Sequence, residues 1–476
     1  MVLKSTNLNP ESHHKNIIVI GSGIGGLSAA LELLENGYSV SVIEKDSGPG
    51  GNMKSIVYDD FVVDIGFRRY YCRIPEVLAF FKKVMCEDFI PYQHRIGVLY
   101  HNSIYDRDPV FSGQTRGMSA FTLARGLVNL LKMRLLHLFT KPINFEQRAY
   151  FLKGRLFTKV FSQGYYEKLK GRLWKDLPPD YNAEGIDKKS GFIPSFLKRV
   201  QHGVDDQHAW YHPKQGSHTL INSVYSKVQF LGGRFLFNAR VKSIGKHVNG
   251  SWQVSLWHEG VEKMLETNFI VSSLPVEVSA SLVFRESQHW SAMNKVNRNV
   301  LIVYFFLNSP PNFSHNCLRV TEPNTPIARI TNYGSYFVDM VPQNKGCLGI
   351  EIFCSDLDVW MRQEDEELIQ LTMEFCTRAG LFDPQTIVHH IVRRIVNTEV
   401  ASSWEDYRED NHRMKLFDEL SNVPGFYQIN RTGIDKTIFA AIEAVKAIKN
   451  GHWESYMIRT APNVKESWKS DLPSST

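Results

Sequence analysis

Several protein classes are excluded by what this chain lacks. Its 476 residues include only six cysteines, none of them in a CxxC pair or at a His/Cys spacing that ligates a metal. A disulfide-stapled secreted fold is therefore excluded, no metal site is expected, and the six read as reduced thiols of a cytoplasmic protein. No apolar run approaches the roughly 18 residues that a membrane-crossing helix needs. Residues 1–15 are polar and lack the apolar stretch of a signal peptide. Repeats and low-complexity tracts are also missing. Charge is close to balanced, with 55 Lys and Arg against 49 Asp and Glu. The net +6 suits an anionic cofactor or substrate and gives no reason to expect nucleic acid. A chain of this length, 43% hydrophobic and 12% aromatic, exceeds one compact core and predicts two or three lobes.

What is present is concentrated near the start. Ile17 to Ile20 is apolar and β-branched, Gly21-Ser22-Gly23-Ile24-Gly25-Gly26 follows, and Leu27 to Glu35 continues as an apolar-rich helix. Gly21, Gly23 and Gly26 fit the dinucleotide fingerprint: a tight turn, a close backbone approach to pyrophosphate, and close helix–strand packing. The phosphates would sit at the positive helix end, where backbone N–H groups have no partner. A second strand, Ser39 to Ile43, ends in Glu44, near the spacing at which a carboxylate accepts the adenosine ribose hydroxyls.

Beyond Glu44 come Lys45, then Gly50-Gly51-Asn52, then Asp64-Ile65-Gly66. With these residues the chain resembles the flavoproteins that include protoporphyrinogen oxidase, flavin amine oxidases, phytoene desaturase and UDP-galactopyranose mutase. The resemblance implies a Rossmann-like FAD-binding α/β domain, with an inserted helical lobe and a β-sheet substrate lobe. It extends through Tyr211 to Gly233, Ile270-Val271-Ser272-Ser273-Leu274-Pro275, and Asn430-Arg431-Thr432-Gly433-Ile434-Asp435 before a helix. Cofactor contacts are implied for Gly21, Gly23, Ile24, Gly25, Gly26, Glu44, Lys45, Gly50, Gly51, Asn52, Gly66, Val241, Gly433, Ile434 and Asp435. Asn52 stands where relatives keep a basic residue, and Phe67-Arg68-Arg69 replaces their usual histidine motif. The implied division is 1–73, 211–280 and 401–456 for the FAD domain, 74–210 for a helical lobe, 281–400 for the sheet, and 457–476 for a tail.

The stretch 74–210 reads as helical and poor in strands, with Phe157, Phe161, Tyr165, Tyr166 and Trp174 at helical spacing. Within it, 121–139 is Leu-rich and carries Arg125, Lys132 and Arg134. Three readings are open for it: a helix packed inside the lobe, a peripheral membrane contact, and an inward anion ligand at Arg134. Strands are expected at 235–244, 300–307, 348–353 and 387–396, with a meander around 251–269. His389 and His390 read as structural. Arg68, Arg69 and Arg329 are the substrate-binding candidates, and Arg329 is also the catalytic one.

The first functional expectation is an FAD-dependent oxidoreductase that moves hydride from a small organic substrate to the flavin. Phe67 and the surrounding aromatics point to an apolar cavity for that substrate. A mutase-like enzyme working on a nucleotide sugar without net oxidation, or a non-catalytic flavin-bound scaffold, are the competing classes. Substrate identity, electron acceptor and oligomeric state stay open at this point.

Overall fold

A computed structural model describes residues 16–72, 74–92, 95–106, 118–181, 210–247, 250–284, 298–336, 339–355, 357–396, 409–431 and 433–451. Asn16–Ile20 forms the centre of a five-stranded sheet, with parallel neighbours Ser39–Ile43 and Phe269–Ser272. Arg234–Leu236 and Phe426–Gln428 are its edges, again parallel. Ile17, Ile18, Val19 and Ile20 are buried on both faces, as the unbroken β-branched run requires. Helices Ile24–Glu35, Ser217–Phe230 and Ile434–Asn450 pack against one face. Three segments far apart in sequence thus build one nucleotide-binding layer.

The second layer is a seven-stranded sheet. Its order is Ile387–Ile395, Arg298–Leu307, Gly346–Ser355, Ile327–Asn332, Cys317–Val320, Ile96–Tyr100 and Ser103–Asp106. One face of Arg298–Leu307 packs Ile302, Tyr304 and Phe306 against Ile56, Phe61 and Val63 and the helical-lobe residues Phe145 and Trp174; Leu301, Val303 and Phe305 point the other way, to helix Asp365–Arg378. Burial on both faces explains why this strand shows no alternation in its sequence.

Two sequence expectations need correction. The stretch 74–210 was expected to be strand-poor, yet Ile96–Tyr100 and Ser103–Asp106 complete the seven-stranded sheet, and Pro75–Met85 packs into the nucleotide-domain core. Ile96–Tyr100 is a five-residue apolar run and Ser103–Asp106 is shorter still, lengths at which periodicity does not separate strand from helix. The strand expected over 235–244 is two strands. The chain turns at Asn238, whose φ is +52°, and passes from the parallel sheet into the meander Ala239–Lys246, Trp252–His258, Val261–Thr267.

Helix Ala120–Phe139 also departs from the packed-inside reading. Gly126 and Leu130 are its only buried residues. Arg134 is no inward anion ligand; it donates to the Leu152 carbonyl at 2.8 Å, near the C-terminus of helix Phe145–Lys153. The strand expected at 387–396 is present, and His389 stacks on Tyr58 with ring centroids 4.1 Å apart. The expected tail, 457–476, and Thr432 lie outside the described residues.

Candidate functional site

The glycine turn has the shape its residues predict. Gly21 adopts φ +91°, which favours glycine. A Cβ on Gly26 would lie 1.8 Å from the Gly21 carbonyl oxygen, so no side chain fits there. A Cβ on Gly23, by contrast, would meet nothing within 4 Å. Gly23 caps helix Ile24–Glu35, no side chain satisfies that helix start, and its first turn has no acidic residue. An open cradle at an uncapped positive helix end fits a pyrophosphate.

Glu44 sits at the end of its strand, 6% exposed. One carboxylate oxygen accepts from Ser22 N at 2.7 Å and Ser22 Oγ at 2.8 Å; the other accepts from Asp46 N at 2.9 Å. A carboxylate offers about four acceptor positions, so capacity for a ribose hydroxyl is left. The neighbouring Lys45 is exposed. Gly50 N donates to Ser22 O, and Gly51 lies against Gly23, where its Cβ would be 3.5 Å from Gly23 Cα. Gly25 faces Thr437 and Ile429, so the two uncapped helix starts, at Gly23 and Gly433, are neighbours. Asp435 lies in the first turn of the closing helix, and burial raises its carboxyl above the ordinary range. Val241, half-buried, lies just beyond the turn in which Ala239 N donates to Glu44 O.

Asp64 organises the next part. It is 1% exposed and accepts from Ser217 N at 2.7 Å, Ser217 Oγ at 2.6 Å and Ser55 Oγ at 3.0 Å, with His212 Nε2 at 3.1 Å. Its backbone carbonyl accepts from the Tyr304 and Tyr333 hydroxyls, at 3.1 and 2.8 Å. Gly66 N donates to Tyr304 Oη, and Phe67 N to Glu351 Oε1. The Asp64–Phe67 turn is thereby clamped by both lobes.

Burial works against the Asp64 charge, but the hydrogen bonds from His212 and Ser217 hold its carboxyl below the usual carboxylate range. The stability it contributes is therefore complete above the unfolded value of about 3.9 and drains as pH falls through the lower folded value. Asp64→Asn should melt lower than wild type at neutral pH and show a flatter loss of melting temperature between about pH 5 and pH 3. Thermal melts across that range check this; parallel curves would show that Asp64 does not carry the acid limb.

Beyond the turn lies a charged row across three strands. Arg319, Arg329 and Glu351 are direct cross-strand neighbours. Arg329 is ion-paired with Glu351, which is 1% exposed. The Arg329 guanidinium lies 5.1 Å from the Phe67 ring centroid and 5.2 Å from that of Phe353. Arg319 lies 4.8 and 5.5 Å from the Tyr165 and Tyr166 rings and donates to Tyr166 Oη at 3.2 Å. Arg69 is exposed over Phe67 and Trp210, and Arg68 donates to the Asn52 carbonyl. Among the described residues, Arg68 Nε and Arg329 Nε are buried donors with no acceptor. Flavin carbonyls and ring nitrogens are acceptors of the kind that Arg68 Nε, beside Asn52, lacks, so the residues present fit the group.

The structure therefore brings together Gly21, Gly23, Ile24, Gly25, Gly26, Glu44, Gly50, Gly51, Asn52, Arg68, Gly433, Ile434 and Asp435. Gly66, Phe67 and Arg329 form the adjoining wall. Sequence reasoning missed Ser22, His212, Ser217, Tyr304, Tyr333, Glu351 and Arg319. Ser22 stands inside the glycine motif and His212 and Ser217 in the Tyr211-to-Gly233 segment, which were usable signals; the others carry none.

Comparison with known proteins follows this geometry. The family model for flavin containing amine oxidoreductase matches residues 24–390. A 4,4'-diaponeurosporene oxygenase from Staphylococcus aureus (strain USA300) is 46% identical over 294 residues, 55% of this chain and 56% of that protein. A zeta-carotene-forming phytoene desaturase from Myxococcus xanthus is 39% identical over 59 residues, 12% of this chain and 11% of its own length. The chain thus spans about a tenth to just over half of these curated relatives. Reduced UDP-galactopyranose mutase superposes with TM-score 0.72 at 17% identity, covering 91% of this chain and 95% of that one. A putative protoporphyrinogen oxidase from Exiguobacterium sp. 255-15 gives 0.68 at 12%, covering 92% and 99%. These two likenesses establish the fold.

Proposed function

The chain belongs to the flavin containing amine oxidoreductase family, and on that premise we propose that it is an FAD-dependent oxidoreductase of a biosynthetic pathway, acting on an apolar, unsaturated organic substrate. The observation that carries the reading is the wall of Phe67, Arg329 and Phe353 beside the clamped Asp64–Phe67 turn. FAD, when bound, supplies the hydride acceptor. The protein's part is to hold it and to aim the substrate. The Gly21-to-Gly26 turn takes the pyrophosphate, Glu44 and the adjacent Lys45 the adenosine ribose, and Val241 the adenine. Gly50, Gly51 and Gly66 would lie against the FAD, Asn52 would stand where relatives make a basic phosphate contact, and the helix start at Gly433, Ile434 and Asp435 would stabilise negative charge on the reduced flavin.

Arg329 orients the substrate, with Arg68 and Arg69 at the approach. Glu351 neutralises Arg329 and two aromatic rings enclose it, an environment poorly suited to a doubly charged diphosphate. Relatives named for diaponeurosporene and phytoene support a polyene as the substrate class. A membrane contact through 121–139 belongs to the same reading, since a polyene dissolves in lipid.

Anaerobic mixing of the oxidised protein with zeta-carotene in micelles tests the reaction. Bleaching of the flavin absorbance is expected. Turnover of a UDP-sugar only after dithionite reduction, with no net redox change, would instead establish the mutase reading. A flavin that neither compound nor any other substrate reduces would favour the scaffold. Arg329→Lys keeps a charge for Glu351 and loses the flat guanidinium between the rings. FAD content should stay at the wild-type level while flavin reduction slows roughly ten- to hundredfold; an unchanged rate removes Arg329 from the substrate site.

A further inference from the structure

Helix Ala120–Phe139 is turned inside out relative to an ordinary surface helix. It docks on its neighbours through Gly126, where a Cβ would lie 2.2 Å from the Phe157 ring, and through Leu130. Its large apolar residues face outward instead: Val128 is 67% exposed, Leu131 63%, Leu135 60%, Leu138 75% and Phe139 84%. At 100° per residue these five, with Phe121 and Leu127, fall on one arc of roughly a third of the circumference. Arg125 and Lys132 are exposed at one edge of that arc, with the Arg125 guanidinium 5.8 Å from the Phe121 ring. Ile143, 75% exposed, and exposed Lys141 continue the surface past the helix end. No acidic residue occurs between Asp108 and Glu146.

We propose that this face docks on a bilayer surface carrying anionic headgroups, the apolar arc entering the acyl boundary while Arg125, Lys132 and Lys141 meet lipid phosphates. This makes specific the membrane contact named above, but it stands on the helix surface and not on the identity of the substrate. Seven large apolar side chains exposed together on one arc mark an interaction site. The helix, about 30 Å long, lies flat, since among the described residues no helix is long and apolar enough to cross a membrane. A second copy of the chain fits less well. Two-fold pairing through this face would bring basic edges together with no acidic residue in the segment to receive them. From the docked face, Gly126 leads to Phe157 and on through the helical lobe to Tyr165 and Tyr166, which flank Arg319.

The test is flotation of the FAD-loaded full-length protein with two kinds of vesicle, pure phosphatidylcholine and phosphatidylcholine mixed with phosphatidylglycerol. Flotation with the anionic vesicles, diminished at high salt, is expected. Arg125→Gln with Lys132→Gln should weaken partitioning by about twenty- to thirtyfold, the factor that ~1 kcal/mol per basic residue gives for two. Leu131→Glu with Leu135→Glu should abolish flotation while leaving FAD content and melting temperature unchanged, because both positions are solvent-facing. Absence of flotation with anionic vesicles, or equal flotation with both kinds, overturns the proposal. So does a wild-type dimer that the Leu131→Glu, Leu135→Glu variant converts to monomer, which would make the face a self-interface. None of these readouts needs turnover, so they succeed or fail independently of the proposed chemistry.

Discussion

Glu351→Ala should strongly destabilise the seven-stranded sheet, lowering the melting temperature by about 5 °C. The Glu351 side chain is 1% exposed, pairs with Arg329, and accepts from Phe67 N at 3.0 Å. Its removal leaves a largely buried guanidinium without a counter-charge, a loss of roughly 3–5 kcal/mol, together with an unsatisfied backbone N–H at the Asp64–Phe67 turn. Arg319, on the adjacent strand, would then face Arg329 across the ladder with no carboxylate on the far side of Arg329 to balance the two charges. Replacing the pair together, by Glu351→Met with Arg329→Met, should recover much of the loss, because well-packed apolar side chains carry no desolvation penalty. Thermal melts of the three proteins decide it. A Glu351→Ala protein that melts with the wild type would mean that water already solvates this row.

Glu44→Ala should cost the protein most of its FAD. The substitution removes the carboxylate proposed to accept the ribose hydroxyls and strands the Ser22 N–H, the Ser22 hydroxyl and Asp46 N–H, all of which now donate to that carboxylate. At ~1–3 kcal/mol, cofactor affinity falls by roughly ten- to a hundredfold. Glu35→Ala is the matched control. Glu35 lies on the same glycine-turn helix but only pairs with Lys83 at the surface, at 2.7 Å, an interaction worth little in water. Flavin absorbance per mole of purified protein measures both. Equal occupancy in the two variants would take Glu44 out of the cofactor site.

Those two glutamates differ in how they could be found. Glu44 is legible in sequence because its role is local. The strand before it, the glycine turn preceding that strand, and the spacing between them are all read within 28 residues of Ile17 to Glu44. Steric demands inside one strand–turn–helix leave few alternatives. Glycine at position 26 follows from the 1.8 Å approach of its absent Cβ to the Gly21 carbonyl. The closing helix start at Gly433 is legible for the same reason, an uncapped N-terminus announced by its own loop.

Glu351 leaves no comparable trace. It interrupts an apolar strand, and its meaning depends on register: only pairing of Arg329 with Glu351, and of Arg319 with Arg329, turns three scattered charges into one row. The Asp64 turn is similar. Its motif is local, but the groups that clamp it come from His212, 148 residues away, and Tyr333, 269 residues away. Helix Ala120–Phe139 shows the limit most plainly. Its composition told that one side was apolar, and a wheel drawn from sequence cannot say which side faces the protein. Gly126 against the Phe157 ring decides it, since only a residue without a side chain lets the helix approach there, and that contact turns the leucines outward. Local backbone chemistry therefore determined the cofactor motif and the family's α/β layout. Strand register and helix rotation, which depend on residues distant in the chain, decided the charged row, the clamp on Asp64 and the exposed apolar face of helix Ala120–Phe139.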